Sequence, residues 1–423
     1  MQDTRPKSPP LSELTRPQVR WILGGVVMTL ATMPGQTNFI AQFNAALRAE
    51  FGLSNGAFGA IYTLATLISA TGLVFAGVLA DRIAPLKLAC ASIAGLAVTA
   101  VLMSRVEGLP LLVLALMFLR FFGQGMLMHI AMTAMARWFN RFRGRAISFA
   151  AFGITIGDSL LPFTLTVSIL AFGWRSVWIA TAIFLVVVLI PLLLFLLRDP
   201  PDSKRARQSG AINPDAALSD IPTGLNWSRA RVLRDPLFFM ILPGIMSMPG
   251  IGTLFVFHQA NLAALKGWPI ETYTAFFPVM SLTVAAASLT AGFMVDRIGA
   301  WRLMPIFLLP LTLACILVAT LHPVWAIPLI FLCFGLTQGV MNPIIGALWV
   351  ELYGTAHIGA VRSLATAALV AATALGPGIS GVLIDLGINL ERQAVVYAAW
   401  CLSWSGIYLW LQPRFGFRAR ELV

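Results

Sequence analysis

Charged side chains are scarce in this sequence: 11% of its 423 residues are Asp, Glu, Lys or Arg, while 58% are hydrophobic. That is too little polar surface to cover a soluble globule of this length, so the chain belongs in lipid. Strand-like alternation is missing, and the apolar runs are far longer than a barrel strand needs, so helices are expected throughout. Cysteine is rare too. Cys90, Cys315, Cys333 and Cys401 fall in apolar runs without ligand spacing, which argues against a disulfide framework and against a thiolate metal site. No Gly-x-x-x-x-Gly-Lys-Ser/Thr stretch is present to cradle a phosphate, so an ATP-driven pump is not expected. Nor do the apolar runs hold a paired nucleophile and base; no enzyme activity, metal or cofactor is expected. The first 20 residues carry charge without a short apolar core and a small-residue cleavage site, so no removable signal peptide is expected.

What the chain does have is length of apolar sequence. A bilayer core of roughly 30 Å takes about 20 apolar residues per helical crossing. Twelve such windows are predicted, over 21–43, 55–76, 88–104, 110–134, 146–170, 176–197, 237–260, 272–293, 303–321, 325–350, 363–384 and 393–412. The expected fold is an all-α membrane protein of twelve transmembrane helices in two pseudo-symmetric six-helix bundles. Its parts would be an N-tail 1–20, a bundle 21–197, a linker 198–235, a bundle 236–412 and a C-tail 413–423. Pro200-Pro201, Lys204-Arg205, Ser209-Gly210 and Asn213-Pro214 mark the linker as a polar break in composition.

Lys and Arg fix the expected orientation. With the N-terminus inside, the inner segments hold 23 basic residues and the outer loops five, with Arg120 alone inside a span. This bias predicts both termini on the cytoplasmic side, in an integral membrane protein of a bacterial inner (plasma) membrane. The net charge of +12 is spread over short loops beside helix ends, so topology and contact with anionic membrane lipid explain it, and no nucleic-acid partner is expected.

The two halves repeat each other. Ala76-Gly77-Val78-Leu79-Ala80-Asp81-Arg82-Ile83 and Ala291-Gly292-Phe293-Met294-Val295-Asp296-Arg297-Ile298 lie 215 positions apart, and each is followed by a basic residue, Lys87 or Arg302. Leu88 and Leu303, Gly144 and Gly359, Ser148 and Ser363, and Pro162 and Pro377 keep the same offset. A period this long, read in one direction, is that of two like halves of a membrane protein.

Twelve helices, a polar middle segment and a duplicated Asp-Arg signature resemble the major facilitator superfamily of secondary transporters. Gly77, Asp81, Arg82 and Lys87 match its signature after the second helix, although Ala84-Pro85 stands where the turn glycine is expected; the second copy keeps Gly299. Arg137-Trp138-Phe139 through Arg143-Gly144-Arg145-Ala146, Gly173-Trp174-Arg175, and Tyr353-Gly354 through Gly359 are similar to the monocarboxylate and oxalate/formate type. That resemblance implies a charged residue in the eighth helix to handle a carboxylate. The window 272–293 holds no Lys, Arg or Asp, and only Glu271 stands at its edge.

Two ionisable residues stand deep in the spans. Burying a charge at mid-bilayer costs roughly 2.5 to 3.5 kcal/mol, so its presence calls for a reason. Arg120 lies about ten residues into the fourth span and Asp158 about twelve into the fifth, which at 1.5 Å per residue puts both near the midplane of antiparallel neighbours. They either pair as a static packing element or face one cavity, where Arg120 attracts an anion and Asp158 takes the proton. Arg120 followed by Gln124-Gly125 resembles the superfamily's fourth-helix signature with one residue inserted, and places Gln124 one turn from Arg120. Gln338 and Asn342, one turn apart in the tenth span, would form a neutral hydrogen-bonding wall. His258 near the end of the seventh span is a substrate contact or an interface residue. Gln36, Thr37 and Asn38 follow Pro34-Gly35, a pair expected to break the first helix and expose polar groups to a cavity, or to serve as glue between helices. Gly153, Gly157 and Pro162 in the fifth span, and Gly376, Pro377, Gly378 and Gly381 in the eleventh, permit close helix approach.

Asp81 and Asp296 are expected to act as latches, each meeting the positive N-terminal end of a helix of the other half, near Arg362 and near Arg145 respectively. With Arg82, Lys87, Arg297 and Arg302 they form the expected gating set. The sequence thus points to a secondary transporter working by alternating access, a monomer carrying a small organic anion or metabolite with protons. An exporter of hydrophobic compounds and a non-transporting receptor or scaffold are the alternatives.

Overall fold

A computed structural model describes residues 15–77, 79–139, 143–198, 227–354 and 357–421. The first 14 residues, most of the linker and the side chains of Asp81 and Arg143 lie outside the described residues. Among the described residues the chain is helical with no strand. Ten helices are long and apolar enough to cross a membrane, from Asn55–Ala76 to Leu390–Ala419. Together with a first and a ninth span that are broken or short, they make the twelve-helix architecture.

Proline placement explains where helices depart from the expected windows. The first window was expected to run unbroken over 21–43 except for a weak point at Pro34-Gly35; the structure has a helix at Arg16–Leu30, a single 3-10 turn at Met33–Gly35, then Thr37–Ile40 and Ala41–Phe43. Pro34 offers no N–H to continue the ladder, and Gly35 is the position at which another backbone comes close. The ninth window shortens to Leu309–Thr320, because residues 304–308 form turns and Pro310 sits at the helix start. The eighth is interrupted at Phe276, just before Pro278 in the first turn of Phe277–Ile298. The twelfth runs past residue 412 to Glu421 with Pro413 inside it.

Contacts group the chain into two compact units, residues 1–43 with 64–212, and 44–63 with 213–423. The first unit therefore holds the broken first span, the helix Pro85–Ser104, the fourth span, the helix Arg143–Phe172 and the sixth span. In the second unit the segment 44–63, early in the chain, is anchored by polar groups. Asp385 at the end of the helix Ile358–Asp385 accepts the N–H groups of Asn55 at 3.0 Å and Gly56 at 2.7 Å, which caps the helix Asn55–Ala76. Thr63 donates to the Ala374 carbonyl at 2.6 Å, and Asn44 donates to the Phe257 carbonyl at 2.7 Å.

Candidate functional site

In the first unit the broken segment 32–43 is threaded between the fourth and fifth spans. The contact is backbone on backbone: a Cβ built on Gly35 would stand 2.2 Å from the Leu119 carbonyl oxygen and 2.8 Å from the Gly123 Cα, and one on Gly123 would stand 2.7 Å from the Gly35 Cα. Only paired glycines allow this approach, and it turns the Gly35 carbonyl toward the fourth span.

Arg120 receives it. Its guanidinium, on a residue only 2% exposed, donates through Nη1 to the Gly35 carbonyl at 3.2 Å and to the Thr37 hydroxyl at 3.2 Å. Arg120 also opens a π-helical turn, Arg120–Leu127, inside the span Leu109–Trp138. A wider turn of this kind absorbs one extra residue without ending the helix, and here it absorbs the residue inserted between Arg120 and Gln124. Gln124 is half-buried, and its backbone nitrogen lies beside Gly35.

Asp158 is half-buried in the fifth span and accepts from the Asn38 amide at 2.7 Å. The two charges are therefore joined through the same stretch, Arg120 at residues 35 and 37 and Asp158 at residue 38. The rest of the segment is tied down by neutral bonds. Gln36 donates to Thr32 at 3.1 Å, Thr32 to the Thr29 carbonyl at 2.6 Å, Gln42 to the Asn38 carbonyl at 2.9 Å, and Thr166 to Gln42 at 3.0 Å. Gly153 and Gly157 press on this path, with a Cβ on Gly153 falling 2.1 Å from the Val26 carbonyl oxygen. Beside it lies a cavity of about 720 Å³ whose lining is almost wholly apolar, including Met33, Pro34, Phe39, Gly157 and Leu161. It opens past the exposed side chains of Ile156, Leu160, Phe172 and Phe184.

In the second unit Gln338 is half-buried and Asn342 exposed, one turn apart on the helix Ala326–Tyr353. His258 is 1% exposed, shares a 2.9 Å hydrogen bond through Nε2 with the Pro377 carbonyl, and lies edge-on to Phe257. Its position is that of a helix-interface group. Of the expected gating set, Arg82, Lys87, Asp296, Arg297 and Arg302 have exposed side chains, Arg145 is half-buried, and Arg362 donates to the Gly346 carbonyl. Glu351, which drew no attention in the sequence, caps the turn after the second Asp-Arg copy. Its carboxylate accepts the N–H groups of Ala300 at 2.8 Å and Trp301 at 3.1 Å, directly after Gly299 at φ 86°. Asp385 was missed as well. Both acids end apolar helices, and an acid with an apolar run before it and a helix start nearby in space leaves no pattern in one sequence.

Two like halves of apolar helices, with a buried cation and acid on a broken first span, define a membrane transporter fold. The chain belongs to the Major Facilitator Superfamily, whose model matches residues 25–377 and 262–414. Solved structures give the same fold. A bacterial homologue of the human lysosomal transporter Spinster, inward-facing and unoccupied, superposes with a TM-score of 0.68 at 13% identity, covering 97% of this chain and 98% of that one. The nucleoside transporter NupG superposes with a TM-score of 0.68 at 13% identity, covering 96% and 99%. No curated protein sequence matches this chain.

Proposed function

We propose that this protein is a secondary active transporter that moves a small organic anion or metabolite across the membrane by alternating access, coupled to protons. The observation that carries this reading is the attachment of Arg120 and Asp158 to one broken segment, Gly35 to Asn38. Arginine is the side chain suited to an anion: its donors are fixed in a plane and match a carboxylate two at a time. A bound anion competes with the Gly35 carbonyl and the Thr37 hydroxyl for those donors. Protonation of Asp158 removes the charge from the acceptor of Asn38 and weakens that bond, which loosens the same segment from its other end. Substrate and proton then act on one broken segment, and this is what coupling requires. The driving force suffices. One charge falling through 100 mV supplies about 2.3 kcal/mol, enough for a gradient of roughly fifty-fold. The resemblance to the monocarboxylate type leans toward a carboxylate cargo, against which stands the lack of a charged residue in the window 272–293, and the exposed residues of the two Asp-Arg copies support a gating role.

The test is thermal stability of the purified protein with a panel of carboxylates, other organic anions, nucleosides and amines, since a ligand raises apparent stability by mass action. Selected anions are expected to raise the melting temperature of the wild type and to leave Arg120→Gln unmoved. Equal stabilisation of both would remove Arg120 from recognition. A second reading, export of hydrophobic compounds, is favoured by the apolar cavity beside Met33 and Pro34; stabilisation by apolar amines alone would select it. A flux assay in proteoliposomes separates both from a non-transporting receptor.

A further inference from the structure

The second unit carries two arginines, Arg302 and Arg414, for which no ion pair is found among the described residues. Arg302, in the short helix Ala300–Leu303, lies over its neighbour's indole with 4.9 Å from guanidinium carbon to the Trp301 ring centroid. Arg414, in the helix Leu390–Glu421, lies 4.6 Å over Trp410. Both side chains are exposed. Among the described residues no ion pair joins the exposed Asp296 to either arginine, and two further acids are engaged elsewhere. Glu351 is spent on the backbone of Ala300 and Trp301, and Asp235 is held by Arg418 and by the Tyr353 hydroxyl at 2.8 Å.

Each arginine lines a groove on the last helix. Trp301 is fixed to the last helix by Gln412, which donates to its carbonyl at 2.8 Å, and by Gly416, where a Cβ would stand 3.1 Å from the indole ring. Trp301, Arg302, Gln412, Pro413, Gly416 and Phe417 enclose a cavity of about 610 Å³. Arg414 and Arg418 line an adjoining one of about 470 Å³ together with Asp235, whose charge Arg418 answers, and Pro413 and Phe417 are common to both. The outer surface around Arg414 is apolar: Leu409 is 65% exposed, Trp410 61% and Phe417 67%. Residues 410, 414 and 417 fall on one face of the helix.

An indole under a guanidinium fixes its plane while leaving its N–H edge open, and that open edge matches the oxygens of a phosphodiester. Aromatic side chains beside arginines at the end of a membrane helix suit the boundary between headgroup and acyl chain. A soluble anion needs the arginines but has no use for the exposed Leu409, Trp410 and Phe417; a lipid uses both. We infer that the two adjoining grooves that meet at Pro413 and Phe417, one lined by Arg302 and the other by Arg414, bind the phosphodiester headgroup of an anionic phospholipid, with the acyl chains lying along Trp410 and Phe417. This site lies within the second unit and does not depend on what the protein carries.

The experiment uses the full chain purified in a neutral detergent. Native mass spectrometry and melting temperature are read with phosphatidylglycerol, phosphatidylcholine or inorganic phosphate added. Phosphatidylglycerol is expected to remain bound to the wild type and to raise its melting temperature, with phosphatidylcholine and phosphate doing neither. The double variant R302Q/R414Q is expected to weaken phosphatidylglycerol binding by about tenfold, about 1.4 kcal/mol. Unchanged binding by the double variant overturns the proposal. Stabilisation by inorganic phosphate equal to that by phosphatidylglycerol overturns the lipid and leaves a free-anion site. Should the double variant not fold, a photoactivatable phosphatidylglycerol is applied to the wild type: labelling of residues 409–417 supports the site, and labelling only elsewhere overturns it.

Discussion

Arg120 donates to the carbonyl of Gly35, a backbone group that faces the fourth span only because Gly35 and Gly123 touch without side chains. The buried arginine of the first unit is thus placed against the broken span at a glycine pair.

Arg120→Lys keeps the charge but loses the planar guanidinium, whose Nη1 donates to both Gly35 and Thr37 and whose fork of donors suits an anion. Transport is expected to fall by about tenfold, about 1.4 kcal/mol, with the protein still folded by circular dichroism. Wild-type rates in this variant would mean that charge alone suffices.

Gly35→Ala inserts a methyl group against the Leu119 carbonyl oxygen and the Gly123 Cα. Overpacking of this kind costs about 1 to 3 kcal/mol, and the melting temperature is expected to fall accordingly. Gly173→Ala is the control for crowding, since nothing stands within 4 Å of a Cβ there; its φ of 77° makes any cost one of backbone strain alone.

Asp385→Ala removes the acceptor of two N–H groups at the start of the helix Asn55–Ala76. A lost cap costs about 1 kcal/mol, read as a lower melting temperature, and Asp385→Asn should restore much of it. If Ala and Asn behave alike, the cap is not what the carboxylate supplies.

Asp81→Asn tests the gating role. Turnover is expected to drop far more than ligand affinity, measured by flux and by equilibrium binding on the same preparation. Equal loss of both would count against a gate.

Much of this was legible before any coordinates. Arg120 and Asp158 stood out because a charge in an apolar run is costly, and Pro34-Gly35 announced the break in the first span. The Asp-Arg repeat and the apolar windows gave the family and its twelve helices. What the two charges touch was not legible: direct pairing was one of the two readings, whereas Asp158 is held by Asn38 and Arg120 by Gly35 and Thr37. That choice depends on the Gly35–Gly123 contact, which joins residues far apart in sequence. The inserted residue after Arg120 was visible, but its accommodation as a π-helical turn depends on packing. Asp385 and Glu351 were passed over because an acid at a helix end reads as an ordinary boundary residue until the helix start it caps is known in space.

The central claim, that the Asn38-held carboxylate of Asp158 couples cargo to protons, is tested most directly by substrate-triggered proton flux. Proteoliposomes loaded with a pH-sensitive dye are given a stabilising anion without an imposed gradient, with wild type and Asp158→Asn side by side. The account predicts a change in internal pH for the wild type, and none for Asp158→Asn even though it still binds the anion. An undiminished pH change in Asp158→Asn would contradict it.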